Sequence, residues 1–240
     1  TSVGYYALSN NTTGANNTAV GTQALHVNTT GSSNVAVGRF ALDASSTASN
    51  NTAIGTAALT SNSTGTGNSA IGMEALGANT SGDNNVAAGK DALQGNTTGA
   101  ENTGLGKDAC QWNTTGSGNT GVGFMALRKT TTPNSNTGVG RYALSDNSTG
   151  HSNTSVGAYA LGVNTTASWG TAVGVNALQD NTTGSENTAV GHSAGANITT
   201  GSNNVAMGYS ALNTATTAHD NVVIGYQSGV YMTTGGYNIL

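Results

Sequence analysis

The stretch NTAVGTQALHVNTTGSS, residues 17–33, recurs along the chain with a period of 17 residues. NVAVGRFALDASSTASN follows from Asn34, NTAIGTAALTSNSTGTG follows from Asn51, and a late copy reads NVVIGYQSGVYMTTGGY from Asn221. The register holds through 14 copies without an insertion or a deletion. Such self-similarity predicts a stack of equal coils, one per repeat, rather than a polar linker. Below, Asn17 defines position 1 of the repeat and Ser33 defines position 17.

The first five positions of each repeat predict a short strand that ends in a glycine bend. Position 4 is Val, Ile, Leu or Met except at Ala88, and position 2 is Thr, Val or Ser. We expect positions 2 and 4 to face inward and the small residue at position 3 to face the other way. Position 5 is glycine in every copy, which indicates a backbone angle or a close approach that a Cβ atom would forbid. These structural glycines are Gly4, Gly21, Gly38, Gly55, Gly72, Gly89, Gly106, Gly123, Gly140, Gly157, Gly174, Gly191, Gly208 and Gly225.

The second half of the repeat continues the pattern without a helix. Position 8 is Ala in 13 of 14 copies and position 9 is Leu in 11, and an NTTG turn follows. Glycines near positions 5 and 15 and several β-branched residues leave room for one helical turn at most. The sequence therefore predicts an all-β fold, a β-solenoid or β-roll of 14 coils, with residues 1–240 as a single repeat array.

A homotrimer is the predicted assembly. Each coil offers about three sizeable apolar side chains, whereas ordering all 17 residues costs backbone entropy. Turning one apolar side of each coil toward a common axis would bury more apolar surface than one chain can bury alone. We therefore favour three chains over a self-sufficient monomer.

Composition excludes several classes of partner. The chain is 7% charged, its formal net charge is -4, and it has only six Lys and Arg residues, so we expect no nucleic-acid binding. No apolar run approaches the length of about 18 residues that a membrane helix needs, and we expect no membrane insertion in this segment. Because the chain begins and ends inside a repeat, we expect it to be a segment of a longer fibre protein.

Chemistry that varies between copies concentrates at positions 6 and 7, directly after the invariant glycine. Six of the eight Tyr residues, both Phe residues and four of the six basic residues lie there. One interpretation is an exposed stripe that binds sugars or another receptor through ring faces and hydrogen bonds; the other is an outer surface that only keeps the protein soluble. The candidate binding residues are Tyr5, Tyr6, Arg39, Phe40, Phe124, Arg141, Tyr142, Tyr159, Tyr209 and Tyr226.

No catalytic or metal site is predicted. The four His residues occupy three different positions of the repeat, and the two that share a position are four coils apart. Acidic residues are dispersed, and the Glu74, Asp91 and Asp108 column runs beside Lys90 and Lys107. Cys110 stands in the Leu column, where a buried apolar role is expected. We therefore expect no enzyme activity, no metal and no cofactor.

The repeats resemble two groups of known fibre proteins. NTAVG, NVAVG, NTAIG and NSAIG resemble the short repeats in the left-handed β-roll heads of trimeric autotransporter adhesins, although those repeats are usually shorter than 17 residues. The full pattern NTAVGxxALxxNTTGxxN resembles repeat arrays of phage long tail fibres and related bacterial surface proteins. The resemblance implies a structural and adhesive rod in a trimeric fibre. It also implies an extracellular location, on a virion tail fibre or a bacterial cell surface, with a surface glycan or protein as receptor.

An ice-binding β-solenoid is the alternative function. Thr recurs at positions 2, 13 and 14, and regularly spaced Thr on a flat face could organise water. Two expectations weaken this alternative, namely that position 2 faces inward and that positions 13 and 14 lie in a turn.

Overall fold

The computed structural model describes residues 1–240 and is an all-β parallel β-solenoid with a 17-residue repeat. It contains two compact units, residues 1–118 (unit 1) and residues 119–240 (unit 2). The structure contains no helix, and therefore none that is long and apolar enough to cross a membrane. The predicted fold class and repeat length are confirmed, whereas the trimer remains a prediction.

Each coil contributes one short strand, and inside each unit every strand pairs in parallel with the next, 17 residues along the chain. Unit 1 contains β1 (Ser2–Val3), β2 (Thr18–Val20), β3 (Val35–Val37), β4 (Thr52–Ile54), β5 (Ser69–Ile71), β6 (Val86–Ala88) and β7 (Thr103–Leu105). Unit 2 contains β8 (Thr120–Val122), β9 (Thr137–Val139), β10 (Thr154–Val156), β11 (Thr171–Val173), β12 (Thr188–Val190), β13 (Val205–Met207) and β14 (Val222–Ile224).

The strands alternate as predicted, but the inward side is the opposite of the predicted one. Position 3 is the buried residue, as at Ala53, which is 0% exposed, whereas Ile54 at position 4 is 39% exposed. The reason is the narrow interior. A Cβ atom on Gly104 at position 3 would lie 3.1 Å from Cγ of Leu93 in the preceding coil, so only a small side chain fits between the strand and the Leu column. Positions 2 and 4 are displaced to the outside.

The core of each coil is built from small residues and one leucine. Ala at position 8 and Leu at position 9 are fully buried in most coils, as at Ala58 and Leu59. Leu59 has a φ of +50°, and the other leucines of this column share that left-handed conformation. Its amide donates to the carbonyl of Ala75 in the next coil at 3.0 Å, so the hydrogen bond between coils helps to hold an angle that leucine otherwise avoids.

Two buried ladders of asparagine hold successive coils together. At position 1, Asn34 Nδ2 donates to the carbonyl of Ala48 at 2.8 Å, and Asn34 Oδ1 accepts from the amide of Asn51 at 3.0 Å. At position 12, Asn79 Nδ2 donates to Asn62 Oδ1 at 2.8 Å. Buried amides that are hydrogen-bonded in this way add specificity for register, because a slipped coil would leave them unpaired.

The glycine at position 5 meets two constraints that a residue with a Cβ atom would violate. Its φ lies between +126° and +138° in all 14 coils. A Cβ atom on Gly55 would also lie 2.4 Å from the carbonyl oxygen of Gly72. Position 15 is less demanding, since Ala48 and Ala167 occupy it and are buried.

Candidate functional site

Ionisable side chains are absent from the side of the coil that carries the strands. Every Lys, Arg, Asp and Glu lies at position 6, 7, 10, 11, 16 or 17. The outward side chains at positions 2 and 4, here called the strand face, therefore carry no charge in either unit. Positions 6 and 7, here called the outer stripe, carry much of the variable chemistry. Each coil thus presents two different surfaces, a strand face without charge and an outer stripe whose residues vary between coils.

The outer stripe is accessible, but its two positions differ. Most side chains at position 6 are exposed, among them Tyr5, Arg39, Arg141, Tyr209 and Tyr226, and Phe124 is half-buried. Most side chains at position 7 are half-buried, among them Phe40, Tyr142 and Tyr159, and Tyr6 is exposed. Position 6 is therefore the position that is better placed to meet a ligand.

In unit 1 the aromatic candidates form two separate contacts. Tyr5 and Tyr6 meet edge to face with ring centroids 4.2 Å apart, and a side-chain hydrogen bond between them raises the pKa of Tyr5. Two coils further along the chain, the Arg39 guanidinium lies 4.4 Å from the centroid of the Phe40 ring. Unit 1 thus brings together neighbouring residues of the candidate set rather than the set as a whole.

In unit 2 the aromatic candidates stack along the repeat direction. Tyr142 and Tyr159 are nearly parallel with centroids 5.2 Å apart, and Tyr209 and Tyr226 repeat this arrangement at 5.3 Å. His192 stacks on Tyr209 from the coil before, at 5.3 Å. Each stacked ring uses a face that a sugar would otherwise contact, so the hydroxyl groups and ring edges are the more available parts.

Basic residues are neutralised differently in the two units. In unit 1, Lys90 Nζ lies 3.4 Å from Asp91 Oδ2 and Lys107 Nζ lies 3.1 Å from Asp108 Oδ2. In unit 2, Arg141 forms no ion pair within the chain; its guanidinium lies 5.1 Å from the Tyr142 ring centroid and 5.6 Å from that of Tyr159. Arg39 in unit 1 likewise has no ion pair and lies over one ring, so what distinguishes Arg141 is its position over two rings from successive coils.

Histidine and carboxylate groups meet as isolated pairs. His26 Nδ1 lies 3.5 Å from Asp43 Oδ1, and burial raises the pKa of Asp43. His219 Nδ1 lies 2.8 Å from Asp220 Oδ2, and hydrogen bonds from His219 and Asn203 lower the pKa of Asp220. Neither pair is joined by a third ionisable group in a cluster that could hold a metal ion.

Two further sequence features, Cys110 and the Asn-x-Thr sequences, have a structural explanation. Cys110 is 0% exposed and fills the Leu column, as expected. The asparagines of the Asn-x-Thr sequences at Asn28, Asn96 and Asn164 are fully buried in the position 12 ladder, where their amide nitrogens donate hydrogen bonds, so a sugar cannot be attached to them in the folded chain.

One surface feature was not predicted from the sequence. An open groove in unit 1 is lined by Glu74, Gln94 and Trp112 together with small residues such as Gly77 and Gly95. Gln94 Nε2 donates a hydrogen bond to Glu74 Oε2. The signal that could have revealed it is the run of small residues at positions 10 and 11 in consecutive repeats, which ends at Trp112.

Comparison of the chain with protein families, with curated proteins and with solved structures finds no match.

Proposed function

We propose that this chain is a rod segment of a homotrimeric extracellular fibre in which the strand face turns toward the partner copies. The observation that supports the proposal is the combination of exposure, apolar character and absence of charge on this face. In unit 1, Ile54 is 39% and Ile71 is 49% exposed, and in unit 2 Val156 is 38% and Val173 is 37% exposed. A regular row of exposed apolar side chains at position 4, with no charge beside it, favours an interaction site.

The periodicity of the strand face favours another copy of the same chain as the partner. Its side chains recur at each coil, at the spacing of parallel strands, about 4.8 Å. A partner can follow that spacing over several coils only if its own surface has the same period. A second and third copy in register have that period by construction, and closed cyclic symmetry ends the assembly at a defined size.

The interior also supports self-association. Leu at position 9 is the only large side chain that is fully buried in most coils, while Val and Ile at position 4 remain partly exposed. Burying position 4 between copies would remove this apolar area from water and add to the stability that the small core supplies. The proposed trimer would therefore add to the stability of each coil, and its partner copies would also match the coil spacing.

The biological setting follows from the resemblance to phage tail fibres and trimeric adhesins. A repetitive rod in such a fibre works by stiffness and reach, and the outer stripe would carry any contact with a surface glycan or protein. The location on a virion tail fibre or a bacterial cell surface is part of the same proposal.

The test is the mass of the chain in solution, measured by light scattering with a far-ultraviolet spectrum of the same sample. We expect a β-rich species of three times 23.6 kDa. The double variant Val156→Lys/Val173→Lys places charge on the strand face and should give a β-rich monomer. Thr166→Lys/Thr183→Lys places the same charges at exposed position 14 and should remain a trimer. A monomeric parent protein would contradict the proposal.

The ice-binding alternative is favoured by one observation in unit 2. Position 2 faces outward, contrary to the expectation, and it is Thr in five consecutive strands, β8 to β12, with Val at position 4 of each. This makes a regular Thr and Val lattice on a parallel sheet. Thermal hysteresis of the parent protein separates the alternatives, because a fibre shaft should show none. Hysteresis that disappears in Val156→Lys/Val173→Lys would favour ice binding.

A further inference from the structure

We infer that unit 2 carries a binding site for an anionic polysaccharide, built around Arg141 and the rings that hold it. The site consists of Phe124, Arg141, Tyr142 and Tyr159 and is called the Arg141 cluster. The inference deepens the adhesive part of the proposed function and rests on it. It commits to a sugar polymer that carries carboxylate or sulfate groups.

The first argument is that the Arg141 guanidinium lies over aromatic rings and has no carboxylate partner. It lies over two rings, with Cζ 5.1 Å from the Tyr142 centroid and 5.6 Å from the Tyr159 centroid. A cation–π contact engages the charge of the guanidinium but supplies no carboxylate acceptor for its N–H groups. No carboxylate of the chain accepts from them, and the side chain is exposed. The donors that match a carboxylate or sulfate are therefore ordered before the ligand arrives.

The second argument is that the rings are themselves fixed. Tyr142 stacks on Tyr159 with centroids 5.2 Å apart, and Phe124 meets the Tyr142 ring edge to face at 5.5 Å. Three consecutive coils thus contribute to one half-buried aromatic base. Immobilising a flexible arginine before binding lowers the entropy that the complex must lose. The tyrosine hydroxyl groups add partners for sugar hydroxyl groups.

The third argument is local charge. The protein has a formal net charge of -4, yet residues 119–170 contain Arg128, Lys129 and Arg141 and only one acidic residue, Asp146. Asp146 is engaged by Lys129, whose Nζ lies 2.8 Å from Asp146 Oδ1. The surrounding segment is therefore basic within an acidic protein, which favours an anion at this place.

A sugar polymer fits the cluster better than a nucleic acid does. Single-stranded nucleic acids bind by stacking bases on open aromatic faces and by a track of basic residues along the backbone. Here the rings already stack on one another, and unit 2 has three basic residues against four acidic ones. A carboxylate or sulfate on a sugar needs one oriented guanidinium and nearby hydroxyl groups, which the cluster supplies.

The experiment measures binding of the full chain to immobilised polygalacturonate and to dextran sulfate, with neutral dextran and a single-stranded DNA oligonucleotide as comparisons. We expect binding to at least one acidic polysaccharide and none to neutral dextran. Arg141→Gln should weaken that binding by about tenfold or more. Arg141→Lys keeps the charge without the fork of donors and should give a smaller loss. Lys90→Gln is the matched control, because Lys90 lies at the same position of the repeat but is paired with Asp91 in unit 1, and it should leave binding unchanged.

Three results would overturn the inference: no binding to either acidic polysaccharide, tighter binding to the oligonucleotide than to both, or full binding by a folded Arg141→Gln variant. Light scattering on the same samples separates this test from that of the fibre. If the protein is a trimer that binds no acidic polysaccharide, only the binding site is refuted. If it is a monomer whose binding depends on Arg141, the trimer is refuted and the binding site is supported.

Discussion

Units 1 and 2 share one coil but differ in the chemistry of its outer surface. Both have a small residue at position 3, the Ala and Leu pair at positions 8 and 9, and the asparagine ladder at position 1. Outside, unit 1 pairs Lys90 and Lys107 with neighbouring aspartates and has Arg39 over one ring. The stripe of unit 2 instead has Arg141 over two tyrosine rings that stack on each other. The comparison teaches that stacking constrains the interior, while the outer stripe is free to vary.

The interiors also vary, and one coil of unit 2 shows how tightly stacked positions are coupled. In unit 2, Gly195 replaces Leu at position 9 and Ile198 replaces Asn at position 12. A Cβ atom on Gly195 would lie 3.0 Å from Cδ1 of Ile198, so the isoleucine fills the space that the leucine leaves. The large apolar side chain of this coil therefore comes from position 12 instead of position 9.

The largest expected effect tests whether the two interiors are equivalent. Gly55→Ala in unit 1 and Gly174→Ala in unit 2 each place an alanine at a positive φ. The new Cβ atom would lie 2.4 Å from a carbonyl oxygen at Gly55 and 2.5 Å from one at Gly174. We expect each to lower the free energy of unfolding by about 3 kcal/mol or more, measured by denaturant titration. Gly65→Ala at position 15 is the control: its Cβ atom would also lie 2.5 Å from a carbonyl oxygen, but its φ is not positive and Ala48 and Ala167 occupy this position in other coils, so it should cost less. Unequal losses at Gly55 and Gly174 would contradict the equivalence.

The next effect tests the exchanged pair in unit 2. Gly195→Leu should lower the free energy of unfolding by about 1–3 kcal/mol, because the new side chain competes with Ile198 and Leu178 for space. The double variant Gly195→Leu/Ile198→Asn restores the pair that Leu76 and Asn79 form in unit 1, and it should recover most of the loss. Additive effects in this double-mutant cycle would show that the two positions are not coupled.

A smaller, stabilising effect is expected at an interrupted ladder in unit 1. Ser45 replaces Asn at position 12, and both Asn28 Oδ1 and Ser45 Oγ are buried without a hydrogen-bond partner. Ser45→Asn supplies a donor to Asn28 Oδ1 and should raise the free energy of unfolding by about 1–2 kcal/mol. Ala44→Asn adds the same side chain at an exposed neighbouring position and should change stability little. Equal effects of the two substitutions would argue against the ladder as the cause.

The smallest effect sharpens the electrostatic comparison through pH. Burial raises the pKa of Asp43 in unit 1, so its contribution to stability is present below the ordinary value of 3.8 and is lost as pH rises through the folded-state pKa. Hydrogen bonds lower the pKa of Asp220 in unit 2, so its contribution is present above 3.8 and is lost as pH falls through the folded-state pKa. Carbon-13 titration of the two carboxyl groups should show shifts of opposite sign. His219→Ala should bring Asp220 closer to 3.8, and an unchanged titration would contradict the assigned cause.

Much of the fold could be predicted from the repeat, and less of the candidate site. The invariant glycine predicted a special backbone angle, and the fixed period predicted parallel strands in register, because each coil has the same length. Left-handed angles at Leu59 and Glu74 could not be predicted, since no residue type there favours them and hydrogen bonds between coils help to hold them. The outer stripe was predicted as a column of variable residues, whereas the stacking of Tyr142 on Tyr159 depends on the side chains of adjacent coils.

The sequence by itself determined the repeat length, the strand, the glycine bend and the alternation of side chains along the strand. Only the tertiary structure decided which side of the strand is inside. Alternation along the strand is compatible with either side facing the interior. The apolar Val and Ile at position 4 led to the wrong prediction that position 4 faces inward. The Leu column of the preceding coil leaves space for Ala53 or Gly104 and excludes a larger side chain in most coils, so packing distance rather than hydrophobicity turned position 4 outward.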